Sequence, residues 1–276
     1  MALPTCPDCG SDDLDLVEKL SDGRRHLICC ACDHDWLHGE VIAKATPLSN
    51  YEAARRRFVT AADVPEHAAR RAAELKQQFL LLQPELDPRV PPFWEKYQRA
   101  FSLEHMDATP DQEFKDFANS PVGAYAGMMT VFNDAWNEMG SELASRRVRD
   151  SLKYLLYGPE HVPIEDRLTH LIRGDNGMGM TGFRESLLTK VLCIAYPERF
   201  LPITMYTGSA GKREIAETLY GLRLPKPEAT SATPGRLVFW SNDLLRELVG
   251  DGFLSLQHAS QFLWWAKDEV KDATAG

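Results

Sequence analysis

Long hydrophobic runs are missing from this chain. No apolar stretch among its 276 residues approaches the roughly 20 that a membrane span needs. The opening Met-Ala-Leu-Pro-Thr-Cys-Pro-Asp-Cys-Gly has neither the basic nor the apolar segment of a secretory signal, so a cytoplasmic protein is expected. An excess of positive charge is missing as well: 31 basic side chains face 40 acidic ones, a net −9. Non-specific nucleic-acid binding depends on Lys and Arg neutralising phosphates, so the chain as a whole repels DNA and only a local patch could hold it. Beyond residue 32 cysteine is nearly absent, with Cys193 isolated in an apolar stretch. No internal repeat and no low-complexity tract occurs. With 44% apolar and 26% charged residues, a disordered or fibrous chain is excluded, and the length allows one large domain or two.

Charge is unevenly spread. Residues 1–40 hold nine acids and three bases, whereas residues 41–100 hold seven acids and ten bases. The same acidic stretch holds Cys6, Cys9, Cys29, Cys30 and Cys32. Cys6-Pro-Asp-Cys9 and Cys29-Cys-Ala-Cys32 are two C-x-x-C knuckles. Zinc prefers four thiolates in a tetrahedron, and one tight turn lets two thiolates reach one ion. Cys6, Cys9, Cys29 and Cys32 are therefore the expected ligands of a structural Zn2+. Cys30, His26, His34 and His38 lie near enough to substitute but lack the spacing. Disulfides are not expected without an export signal. Leu14–Leu20 and Arg24–Cys29 read as two strands around a Ser21-Asp-Gly23 turn. The order knuckle, hairpin, knuckle, then Trp36 as a cover, resembles a zinc ribbon over residues 1–45. Four thiolates leave no open position for catalysis, and an acidic ribbon suits docking to a neighbouring domain or protein better than gripping DNA.

Thr46-Pro-Leu-Ser-Asn50 reads as a corner, with Asn50 as a cap, and residues 50–276 as a helical domain with a candidate division near 84–92. Helices are expected near 51–58, 64–82, 92–102, 110–118, 128–139, 141–157, 163–171, 183–196, 211–220, 235–249 and 256–270. Asp63, Thr109 and Ser141 are the expected caps of three of them. Phe200–Ile203 reads as short and extended. The fold class is mainly α with a small β ribbon.

Two glycine loops invite functional readings. Arg173–Gly182, with Gly177 and Gly179, leads into an apolar helix carrying Lys190, like a helix-hairpin-helix whose N–H groups hold a DNA phosphate. No Asp occurs between Asp175 and Asp243, and Thr204 stands near the place of a glycosylase acid, so that chemistry is disfavoured. Gly208-Ser-Ala-Gly-Lys212 fails the Walker A pattern, because Tyr206 and Arg213 stand where Gly and Ser or Thr are required. Tight turns explain both loops as well. Arg55, Arg56, Arg57, Arg70 and Arg71 form a candidate phosphate-binding stretch or a solvated helix face. Trp136, Trp240, Trp264 and Trp265 sit among apolar neighbours and read as core rather than as base-stacking residues. His170 and His258 read as structural.

The strings Phe93-Trp-Glu-Lys-Tyr97, Asp166–Leu171, Leu188–Leu192, Pro197-Glu-Arg-Phe-Leu-Pro-Ile203 and Phe262-Leu-Trp-Trp265 together resemble the region ahead of the motor in McrB-like AAA-type restriction ATPases. That resemblance implies a specificity module of modification-dependent restriction or phage defence. Such a module recognises DNA, often with a modified base, and works with an AAA-type motor and a nuclease partner. The ATPase motifs are absent from this sequence, and no catalytic residue is expected. The second reading is a docking or scaffold module of a larger ATPase assembly.

Overall fold

The computed structural model describes residues 4–19, 24–39, 51–82, 84–175, 177 and 179–275. Three short strands, β1 (Leu14–Lys19), β2 (Arg25–Cys29) and β3 (Asp35–His38), form an antiparallel sheet with β2 in the centre. β2 buries His26, Leu27 and Cys29, which makes it the strand around which the small module is built. Leu16 pairs with Leu27 and Glu18 with His26, so Val17 is an extra residue that bulges β1. The two expected strands are present. β3 was not expected, because four residues are too few to show alternation, and Trp36 lies within it rather than beyond the sheet. The expected Ser21-Asp-Gly23 turn, the Thr46–Asn50 corner and the Asn50 cap lie outside the described residues.

Eleven α-helices follow among the described residues. They are α1 (Tyr51–Arg57), α2 (Glu66–Leu82), α3 (Val90–Ala100), α4 (Asp111–Asn119), α5 (Thr130–Met139), α6 (Ser141–Tyr157), α7 (Ile164–Arg173), α8 (Glu185–Ala195), α9 (Lys212–Tyr220), α10 (Pro234–Val249) and α11 (Leu256–Ala275). The mainly α expectation holds, and every expected helix is present. Three caps differ. Asp63 belongs to a separate short turn, where its carboxylate accepts from the Thr60 N–H at 2.7 Å. Thr109 donates its hydroxyl to the carbonyls of Ala100 and His105, which leaves Pro110 to precede α4. Gly140, at φ +82°, precedes α6, and the Ser141 hydroxyl accepts from the Trp136 indole instead. Each hydroxyl or carboxylate bonds instead to a group three to nine residues before it in the chain.

One cluster of buried apolar side chains runs from Ala54 to Val270 and takes in residues on both sides of 84–92. Phe200, Leu201 and Ile203 are buried in it without joining a strand, and the Asn242 side chain accepts from the Leu201 N–H at 2.9 Å. α7 and α10 cross closely. A Cβ on Gly235 would lie 2.1 Å from the Glu165 carbonyl oxygen, so only glycine fits there. One residue on, Arg236 makes a two-pronged pair with Asp166 (2.7 and 3.0 Å), both fully buried. Its third nitrogen donates to the Thr230 and Ser231 carbonyls, and the guanidinium lies over the Tyr51 ring. This buried cation ties α1, α7, α10 and the 225–233 loop together. Trp136 and Trp240 are core, as expected. His170 pairs with the Tyr154 hydroxyl at 2.8 Å, and His258 accepts from the Leu254 N–H, so both are structural.

Candidate metal centre and candidate nucleic-acid interface

The two cysteine knuckles close in the same way. Gly10 N–H donates to the Cys6 carbonyl and Asp33 N–H to the Cys29 carbonyl, each at 2.9 Å. Cys6 N–H donates to the Ser11 carbonyl and Cys29 N–H to the His34 carbonyl, each at 2.8 Å. Both turns need a left-handed residue after the second cysteine. Gly10 (φ +72°) supplies it without steric cost, and Asp33 (φ +57°) belongs to the residue types that tolerate it. The knuckles therefore face each other with matching geometry, and their sulfurs cross. Cys6 Sγ is 3.6 Å from Cys32 Sγ, Cys9 Sγ is 3.5 Å from Cys29 Sγ, and all four lie within 4.8 Å of one another. A tetrahedral ion with metal–sulfur bonds of about 2.3 Å needs sulfur separations of about 3.8 Å. The four expected ligands fit a metal ion.

The neighbours that could have substituted are engaged elsewhere. Cys30 is exposed, and its N–H donates to the Asp13 carbonyl. His34 pairs with Asp8 across the two knuckles at 3.0 Å and stacks on Trp36, while His26 pairs with Asp35 at 3.0 Å. His38 is exposed at the end of β3.

The acidic sheet docks on α6. Arg146 reaches Asp35 at 3.3 Å and Arg147 reaches Glu18 at 2.8 Å. Arg147 also donates to the Gly177 carbonyl at 2.6 Å, which links the sheet to the glycine loop. Burial pushes Asp35 up, but hydrogen bonds from His26 and Arg146 outweigh it and hold the carboxyl below its usual range. Sequence reasoning expected a docking role for the ribbon and missed the acceptor. The signal was Arg146-Arg-Val-Arg149, a basic run able to face an acidic module.

The expected DNA-contacting residues divide. Arg56, Arg57 and Arg70 are exposed. Arg70 pairs with Glu66, and Arg57 folds back on the Ala53 carbonyl. Arg55 is half-buried over Phe58 and Trp240, and Arg71 donates to the Thr218 carbonyl on α9. Lys190 does not belong to any surface. It is fully buried, its ammonium donates to the Phe117 carbonyl at 2.8 Å and to the Ser120 carbonyl, and it sits over the Phe117 ring. Desolvation pushes its pKa down to about 7. An apolar helix buried on most of its surface carried this lysine inward, where two free carbonyls accept it.

The glycine loop is built around Arg184. A Cβ on Gly174 or Gly179 would fall 2.5 or 2.9 Å from the Arg184 guanidinium, which donates to the Leu171 carbonyl at the end of α7. Gly177 lends its carbonyl to Arg147. In the other loop, Lys212 is fully buried at the start of α9, and its ammonium is aimed at the Val238 carbonyl at 3.4 Å.

A pocket of about 390 Å³ was not foreseen. Tyr125, Gly127, Thr204, Met205, Ala210, Trp264, Lys267 and Asp268 line it. Tyr125 is 60% exposed. The Thr204 hydroxyl donates to the Tyr125 carbonyl at 2.8 Å and the Trp264 indole to the Ala210 carbonyl at 3.3 Å, so the Tyr125 backbone and the Trp264 ring are anchored. Lys267 donates to the Ser209 carbonyl and pairs with Asp268. Trp264 and Trp265, expected in the core, are half-buried and pack against its edge, and Trp264 also faces this pocket. The walls come from three distant segments, so no local pattern announced them.

No family model, curated protein or solved structure matches the chain.

Proposed function

We propose that this chain is a DNA-recognition module of a modification-dependent restriction or phage-defence system, with no catalysis of its own. The observation that carries this reading is the pocket between Tyr125 and Trp264. Its volume, about 390 Å³, lies in the range of small-molecule sites. A protein that takes a base out of the duplex stacks it between aromatic or apolar side chains and reads its edge by hydrogen bonds. Tyr125, Trp264 and Met205 supply the stacking surface. Asp268 is an acceptor of the kind that pairs with an exocyclic amine. Exposed Arg56, Arg57 and Arg70 are the members of the arginine stretch left for phosphates.

Zinc is the ion proposed for the cysteine site. Four thiolates are its usual structural set, and in that place it would cross-link the knuckles and stabilise the sheet without an open coordination position. An AAA-type motor and a nuclease partner would supply translocation and cleavage.

The test is base extrusion. Duplexes carrying 2-aminopurine at the inspected position are titrated with the chain, and the change in emission gives the affinity. The expected result is an affinity that Trp264→Ala weakens by about 1–3 kcal/mol, the value of one base–aromatic stack. No change in emission on binding, or an affinity unchanged in Trp264→Ala and Tyr125→Ala, overturns the pocket assignment.

A further inference from the structure

Helix α5 shows three different faces. Phe132 and Trp136 point into the core. Asn133 and Asn137 are pinned to α4, the first by paired side-chain bonds with Asn119 and the second by Lys115 at 2.8 Å. The third face carries Val131, Ala135 and Met139, one turn apart in succession; Ala135 and Met139 are half-buried at the edge of the core and Val131 is open. Val131 is 61% exposed, and Met128, just ahead of the helix, is 88% exposed. Together with Thr181 from the glycine loop this face lines a groove of about 440 Å³. The loop is held against α5 at a fixed distance, because a Cβ on Gly182 would strike the Phe132 backbone at 2.4 Å.

The groove also has a charge. Asp134 and Glu138 line it, both exposed, and neither makes an ion pair among the described residues. They stand four residues apart on one helix, where like charges repel and weaken the helix. A cation brought from outside would relieve that repulsion, and an apolar side chain would cover Val131 and Ala135. A row of apolar anchors beside a row of carboxylates is the complement of an amphipathic helix with basic flanks.

We propose that the groove between α5 and the 179–182 segment docks a basic amphipathic helix of a partner protein. The groove and the aromatic pocket share no lining residue, so docking does not depend on the DNA reading.

Two labelled peptides of about 18 residues, long enough to hold a helix, test this. They share a leucine face, and one carries lysine flanks where the other carries glutamate. Fluorescence anisotropy with the full chain is expected to show the lysine peptide binding at least about tenfold tighter, a difference of about 1.4 kcal/mol. Val131→Ser with Met139→Ser is expected to remove that binding. Asp134→Lys with Glu138→Lys is expected to transfer the preference to the glutamate peptide. Val131, Asp134 and Glu138 are exposed and Met139 is half-buried, and far-ultraviolet dichroism checks that each variant keeps its helices. The proposal is overturned if neither peptide binds, if the glutamate peptide binds the unaltered chain better, or if binding survives loss of Val131 and Met139.

Discussion

The guanidinium of Arg147 lies 2.8 Å from the carboxylate of Glu18, and through that pair the bulged strand β1 leans on the middle of α6. The same guanidinium holds the Gly177 carbonyl, so one side chain touches the four-cysteine module and the glycine loop together. Glu18 is about half exposed, which limits its pair with Arg147 to no more than about 1 kcal/mol. Arg147→Ala is therefore expected to destabilise more than Glu18→Ala, because it also strips the partner of a carbonyl. Urea unfolding of both variants and the double variant measures this. Equal losses would show that the loop contact contributes nothing.

Asp166 and Arg236 make a different kind of pair. Both are fully buried, so removing one partner leaves a charge with no water and no counterion. Asp166→Ala is expected to cost about 3–5 kcal/mol. Asp166→Leu combined with Arg236→Met is expected to cost less than the single change, since it leaves no orphan charge. Urea midpoints decide the order, and a double variant weaker than Asp166→Ala would contradict it.

Lys190 gives a pH dependence with a defined sign. Desolvation lowers its pKa in the folded chain from 10.5 to about 7. Between those values the unfolded chain binds a proton that the folded chain does not, so stability rises with pH. The unfolding free energy of the parent minus that of Lys190→Met is expected to grow from pH 7 to pH 10 and to be flat below pH 7. Taking the difference cancels every other titrating group. A difference that stays flat across that interval would show that the carbonyls of Phe117 and Ser120 hold the charged form.

Removing the metal is expected to act locally. The sheet rests on the four cysteines and a small apolar set around Leu27, whereas the helical core from Ala54 to Val270 contains none of the four. Cys29→Ser or a strong chelator is expected to remove one equivalent of the proposed zinc and to collapse the amide signals of residues 4–19 and 24–39, with helical dichroism nearly unchanged. Loss of helix in parallel with metal would contradict this.

Much of this was legible in the sequence, because it depends on local signals. The metal ligands could be read from two matched knuckles, and the helices from their apolar spacing. What could not be read depends on distance along the chain. Tyr125, Thr204 and Trp264 meet only after folding, and nothing near Trp264 marks it as a pocket wall rather than core. Lys190 looked like a surface cation because its fate is decided by two carbonyls some 70 residues away. Ser141 and Thr109 have good capping chemistry but were drawn to Trp136 and to the Ala100 and His105 carbonyls.

The most direct test of the DNA-recognition reading is fluorescence anisotropy of the purified chain with labelled duplexes. Unmodified, methylated, hydroxymethylated and phosphorothioate DNA are compared at about 50 and 200 mM salt, a range over which several phosphate contacts lose orders of magnitude in affinity. The account predicts a preference for one modification that persists at both salts and is lost in Trp264→Ala. No binding to any duplex at the lower salt would contradict it.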